Sequence, residues 1–153
     1  MKKKIEIRIV NKSFSEEYIP KYATYGSSGL DLYACIKRKI NLKANSSLLI
    51  PTGIAINIKD RNISGMILPR SGIGHHRGII LGNSVGLIDS DYQGEIFVSL
   101  WNRSMVDFLI LPKDRIAQIV FFPTIRVEFE LVKNFKVKSS RNTQGFGHSG
   151  IRN

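Results

Sequence analysis

Ile96-Phe97-Val98-Ser99-Leu100-Trp101 sets three aliphatic side chains, Ile96, Val98 and Leu100, against Phe97, Ser99 and Trp101 on the opposite parity. A period of two belongs to a strand that buries one face, because successive side chains leave a pleated backbone on opposite sides. The same period opens the chain, where Ile5, Ile7 and Ile9 alternate with Glu6 and Arg8. Working outward, short runs rich in β-branched and aliphatic residues lie at 48–50, 54–58, 63–68, 108–111 and 127–132. Pro, Gly, Asn and Asp clusters separate them, the punctuation of turns. Nothing long carries a helical period, and at most a short helical turn is expected after Ser71. Many short strands with frequent turn residues predict an all-β chain, a jelly-roll-like β-sandwich or barrel.

The 153 residues suffice for one sizeable core and not for two. Beyond Lys138 the composition turns polar and glycine-rich, so the expected division is a β-rich body over 1–138 and a flexible arm over 139–153. A single cysteine, Cys35, cannot form an internal disulfide and reads as a small apolar filler in a reducing compartment. Lys and Arg number 23 against 12 Asp and Glu, a formal charge of +11, which points to polyanionic partners in general: nucleic acid, a membrane surface or a phosphorylated ligand. The basic clusters Lys2-Lys3-Lys4 and Lys37-Arg38-Lys39 carry no interleaved aromatics and read as solvated surface, so no specific nucleic-acid partner is expected. No apolar run reaches the roughly 18 residues of a membrane helix. The basic start lacks the continuous apolar stretch of an export signal. A cytoplasmic protein with no membrane partner is the expectation.

Two glycine-flanked runs mix groups that suit a nucleotide better than a core. Pro69-Arg70-Ser71-Gly72 offers a guanidinium, a hydroxyl and a small-residue backbone for phosphate oxygens. Gly86-Leu87-Ile88-Asp89-Ser90-Asp91-Tyr92-Gln93-Gly94 places a carboxylate beside apolar Leu87 and Ile88, then an aromatic ring on a turn. Asp89 has the chemistry of a base that orients and deprotonates water, and equally that of a turn-forming aspartate. Tyr92 is either a flat ring for a sugar that leaves no volume for a 2′-hydroxyl or a partly exposed hairpin tyrosine. Asn83 carries a donor and an acceptor suited to the edge of a base. Asp31, between Leu30 and Leu32, is either buried and paired or reaching into a site. His75 and His76 lack a further partner at ligand spacing and are not assigned to a metal.

Five segments in order carry a family resemblance: Ser28-Gly29-Leu30-Asp31-Leu32-Tyr33-Ala34, residues 69–78, residues 86–94, Arg115-Ile116-Ala117-Gln118-Ile119-Val120, and residues 141–150. Together they resemble the trimeric dUTPase family, enzymes that split dUTP into dUMP and pyrophosphate. The resemblance implies a jelly-roll homotrimer acting on dUTP with Mg2+, the metal held mainly by substrate phosphates and water rather than by an assigned protein cage. It places the catalytic carboxylate at Asp89 and phosphate contacts at Arg70, Ser71, the Gly72 backbone and Gln118. Uracil recognition falls to Asn83 and the hairpin backbone at Leu87 and Ile88, the sugar to Tyr92, and a supporting role to Asp31, which orders water around the metal or fixes an arginine of the site. The tail would bring Arg141 to the γ-phosphate and Phe146 over uracil. The family usually has glycine where this chain has Asn142 and Gln144. One rival of the same fold, a dCTP deaminase, uses a glutamate near the base, and 86–94 contains none. A second rival, a basic β-rich nucleic-acid-binding module, lacks an evident platform of stacking rings.

Overall fold

The computed structural model describes residues 3–11, 14–137 and 139–145. Ten strands follow in order: β1 (Glu6–Ile9), β2 (Leu30–Tyr33), β3 (Ile40–Leu42), β4 (Ser46–Asn57), β5 (Ile63–Leu68), β6 (Ile79–Leu81), β7 (Gly86–Ile88), β8 (Glu95–Asn102), β9 (Phe108–Ile110) and β10 (Arg115–Pro123). A 3-10 turn covers Glu16–Tyr18, and the one α-helix among the described residues, α1, spans Ser71–Arg77. Two four-stranded sheets, ordered β1-β4-β8-β6 and β2-β10-β5-β7, bury one core, and β3 with β9 forms a small third sheet. All pairings are antiparallel.

The period-two reading of β8 holds residue by residue. Ile96, Val98 and Leu100 are buried against Ile50, Ile54, Leu32, Ile67 and Ile119, while Phe97, Ser99 and Trp101 face outward. The interior polar side chains are satisfied: the Thr52 hydroxyl donates to the Ile96 carbonyl (2.6 Å), and the Asn102 amide donates to the carbonyls of Leu42 and Val106. Burial here strengthens an electrostatic bond and would penalise an unmade one.

Two expectations change. Runs 48–50 and 54–58 are not separate strands; both lie in β4, whose pairing with β8 shifts register between Pro51 and Ala55. The Pro-Thr-Gly sequence makes a bulge rather than a turn, and Gly53 adopts φ +73°, where an added Cβ would lie 2.6 Å from Cys35 Sγ. Cys35 itself is a partly buried filler whose thiol is pushed up by burial, then by the neighbouring Glu95 charge. Residues 127–132 form no strand at all: Val127 is exposed, and Phe129 and Leu131 are 94% and 100% exposed. Alternation supplies a strand's side chains but not its hydrogen-bond partner, and among the described residues the last strand ends at Pro123.

Candidate active site

One polar corner lies where β2, β10 and β5 end beside α1. Antiparallel register sets Asp31, Gln118 and Leu68 in a row across the three strands, and the chain then turns through Pro69 and Arg70 into the helix. Arg70 stays extended as the residue before α1 (φ −83°, ψ 135°), which swings its side chain back over the sheet end. Its Nε donates to Asp31 Oδ1 at 2.7 Å, while Arg115 Nη1 reaches Asp31 Oδ2 at 3.3 Å. The Arg70 guanidinium also donates to the Arg115 carbonyl, at 3.4 Å. Gln118 Nε2 donates to the Pro69 carbonyl at 3.0 Å, and a Cβ at Gly29 would fall 2.3 Å from Gln118 Oε1, so that approach requires glycine. These residues, with exposed Ser71 and Gly72, line a cleft of about 380 Å³. Two guanidiniums against one carboxylate leave the cleft locally positive, the balance an oligophosphate requires. Asp31 is therefore paired and mostly buried, with 16% of its side chain exposed.

A second group sits on the hairpin around β7. Asn83 occupies the tight turn from β6 into β7, closed by Val85 N–H donating to the Asn83 carbonyl (2.7 Å), with Ser84 at φ +63°. Within its sheet β7 is the last strand, paired with β5 through Gly86↔Ile67, Leu87↔Met66 and Ile88↔Gly65. Its outer backbone edge thus presents N–H and C=O groups that a flat heterocycle can read. Leu87 is exposed and Ile88 buried, so Ile88 offers this edge only its backbone. Asp89 follows, exposed, and the turn closes with Tyr92 N–H donating to the Asp89 carbonyl at 3.2 Å. The Tyr92 hydroxyl donates to the Glu95 carbonyl at 2.8 Å.

Residues 15–150 match the dUTPase family. This chain belongs to that family. Among curated proteins it is similar to the deoxyuridine 5'-triphosphate nucleotidohydrolases of Buchnera aphidicola from Acyrthosiphon pisum (58% identity, 96% of each chain). Those of Wigglesworthia glossinidia brevipalpis (56%, 98% of this chain and 99% of the relative) and Pectobacterium carotovorum (54%, the same coverage) are similar too. The fold is shared with a phage 80alpha dUTPase (TM-score 0.85, 20% identity, 97% of this chain and 100% of that one). A phage phi11 dUTPase described with a structural Mg(II) ion has a TM-score of 0.77 at 18% identity, over 88% and 99% of the two chains.

Within this dUTPase-family chain Asp89 does not meet the corner, although β7 begins near it, with Gly86 paired to Ile67 one residue from the Leu68 row. Extending the β5–β7 register by one residue sets Asp89 beside Ser64, four residues down β5 from the Leu68 row, and three strand spacings separate β7 from Asp31. Strand geometry makes this about 13 Å along the strands and about 14 Å across them. Arg141 lies with neither group: its Nε donates to the Gln144 carbonyl (2.9 Å) in a local turn where Asn142 takes φ +50°, a region asparagine tolerates. Phe146 lies outside the described residues. Arg115 is the corner residue that reading the sequence overlooked as a participant. It opens the fourth segment, but only the β2–β10 register brings it back to Asp31.

Proposed function

We propose that this chain is a dUTP diphosphatase, cleaving dUTP to dUMP, the precursor of thymidylate, and pyrophosphate. The observation that carries the reading is the β7 hairpin, where the exposed Asp89 carboxylate stands between an open backbone edge and the Tyr92 ring. The names of the curated relatives support it. Asp89 accepts a proton from a water that attacks the α-phosphorus. A new P–O bond forms, the bond to the bridging oxygen breaks, and its electron pair leaves with pyrophosphate. Arg70, Ser71, the Gly72 N–H and Gln118 hold the phosphates, with Asp31 fixing Arg70 rather than addressing a metal, since both its oxygens are engaged by arginines. Asn83 and the backbone at Leu87 and Ile88 read uracil; thymine's methyl overfills that edge, and cytosine brings a donor where an acceptor is required. Arg141 neutralises the γ-phosphate and Phe146 covers the base when the arm of 139–153 closes on the body of 1–138.

Among the described residues no three His, Cys, Asp or Glu side chains cluster as a metal cage. In this reading Mg2+ would be carried in by the triphosphate and held by phosphate oxygens and water, where it would offset charge on the substrate. A homotrimer is the assembly that joins corner to hairpin, each cleft taking Arg70 from one copy and Asp89 from a neighbour. Two features support it: the outer face of β4 and β8 exposes Leu49 (58%) and Phe97 (42%), and the apolar side chains of Val127, Phe129 and Leu131 are exposed. A closed ring covers such faces identically in every copy. Among the described residues no helix is long and apolar enough to cross a membrane.

The test is pyrophosphate release from dUTP, dTTP, dCTP and UTP with Mg2+, with ammonia followed on dCTP. Brisk turnover of dUTP alone is expected. Equal rates on all four, or ammonia from dCTP, would remove the reading.

A further inference from the structure

Tyr92 is held where it is by two neighbours that the hairpin reading leaves unused. Tyr92 is 44% exposed on a turn, a position from which an aromatic side chain ordinarily samples several rotamers. Here the hydroxyl donates to the Glu95 carbonyl at 2.8 Å. Glu95 is itself immobilised: it opens β8 opposite Ala55, and its Oε1 accepts the Gly53 N–H at 2.8 Å. Between them lies Gly94, whose backbone rests against the ring. A Cβ there would stand 2.5 Å from Tyr92 Oη, 2.7 Å from Cζ and 3.1 Å from Cε2. Gly94 has no positive φ, so its backbone tolerates a side chain and the obstruction is the ring alone. The same turn carries Asp89, whose carbonyl accepts the Tyr92 N–H.

We propose that Gly94 and the Glu95 carbonyl form a clamp that fixes the Tyr92 ring, and that this clamp sets the preference for deoxyribonucleotides over ribonucleotides. The inference rests on the functional reading above and deepens it: the ring excludes a 2′-hydroxyl only if it cannot yield. A ring tethered by its hydroxyl and seated on a bare backbone stays in place when an extra oxygen approaches. Freed from either restraint, it swings into solvent and admits ribose. The positions that decide sugar selectivity are therefore the glycine two residues after the tyrosine and the carbonyl that follows.

Steady-state kcat/KM for dUTP and UTP in wild type, Gly94→Ala and Tyr92→Phe tests the clamp. The added methyl breaks the clamp by displacing a partly exposed surface ring and no core group, so Gly94→Ala folds, which a thermal melt verifies, and its dUTP-to-UTP ratio falls about tenfold, within the range by which sites discriminate a single hydroxyl. Tyr92→Phe keeps the ring and loses the tether, so its ratio falls less. In both variants the absolute kcat/KM for UTP rises, which general damage to the hairpin would not produce. A ratio unchanged in both variants, or both substrates declining in parallel, overturns the clamp and leaves the diphosphatase reading intact. A wild type that turns over neither nucleotide sinks the functional reading itself, and the clamp with it. Should Gly94→Ala melt before assay, Tyr92→Phe decides alone.

Discussion

The corner at Asp31 and the hairpin at Asp89 are built on opposite plans. At the corner every charged or amide group is already spoken for within the protomer: Arg70 and Arg115 converge on one carboxylate, and Gln118 is pinned to the Pro69 carbonyl. On the hairpin the groups face outward, with Asp89, Asn83 and Leu87 exposed and the strand edge open. On the function proposed above, the difference follows from what each would bind. Phosphate oxygens are met by charges, and charges held at fixed distances lose little freedom when the ligand arrives. A base is met by backbone polarity, which must remain unpaired until it comes. So the groups of the corner are paired within one chain, whereas the outer edge of β7 has no strand beside it among the described residues.

The largest effect expected separates the two plans directly. Asp89→Asn should lower kcat for dUTP about a thousandfold, the worth of a positioned general base, with its melting temperature close to wild type. Arg70→Ala should lower kcat/KM about a hundredfold through lost charge-assisted bonds. Co-refolding the two inactive variants in equal amounts is the sharper measurement. If the cleft joins Arg70 of one copy to Asp89 of the next, about a quarter of the clefts in randomly mixed rings regain both groups, and activity reappears in the mixture. A mixture as inactive as its parts would place both groups in one protomer and erase the contrast drawn above.

The two plans were not equally legible. β8 was readable from Ile96, Val98 and Leu100, and β5 from the run 63–68, because a buried face imposes its period on the sequence. Runs 48–50 and 54–58 misled, since Pro51 and Gly53 are turn residues in most settings and here make a bulge inside one long strand. The run 127–132 misled for the opposite reason: its side chains have a strand's alternation, but among the described residues it pairs with no strand. In the site, Arg70, Ser71, Gln118 and Asp89 stood out as chemistry bounded by glycine or proline. Arg115 did not, because its meeting with Asp31 depends on cross-strand register over 84 residues. Gly94 was visible only as a flanking glycine, and its contact with the Tyr92 ring is a fact of packing.

A smaller effect probes how far preorganisation of the corner matters. Asp31→Asn keeps an acceptor for Arg70 but removes the charge that draws two guanidiniums together. About a tenfold loss in kcat/KM for dUTP is expected, the scale of one charge-assisted hydrogen bond. It should appear mainly in KM, because the phosphate grip rather than the attacking water is loosened. Full activity in this variant would mean that Arg70 and Arg115 hold their places without the carboxylate, and the corner would be no more preassembled than the hairpin.

Asp107 supplies the counterpart at which catalysis should not respond. Like Asp31 it is a carboxylate surrounded by donors: Lys43 Nζ and Asn41 Nδ2 bond one oxygen at 2.8 Å, and the Ala44 N–H bonds the other at 3.0 Å. Unlike Asp31 it lies just before β9, away from both corner and hairpin, and it is open to solvent. The Lys43 hydrogen bond, then the Ala44 N–H and the Asn41 amide, lower its pKa from 3.8 to about 2. A folded-state pKa below the unfolded value means that the unfolded chain binds the proton more readily. The carboxylate's contribution is therefore whole above about pH 4 and drains away as pH falls toward 2. Asp107→Asn should leave kcat and KM for dUTP unchanged and melt slightly below wild type near neutrality, by an amount that screening at an exposed site keeps small. The gap between the two melting temperatures should then close in acid. A gap that persists at pH 2, or a loss of activity at pH 7, would show that a well-bonded carboxylate matters to this protein wherever it lies, and the contrast between corner and hairpin would lose its claim to explain function.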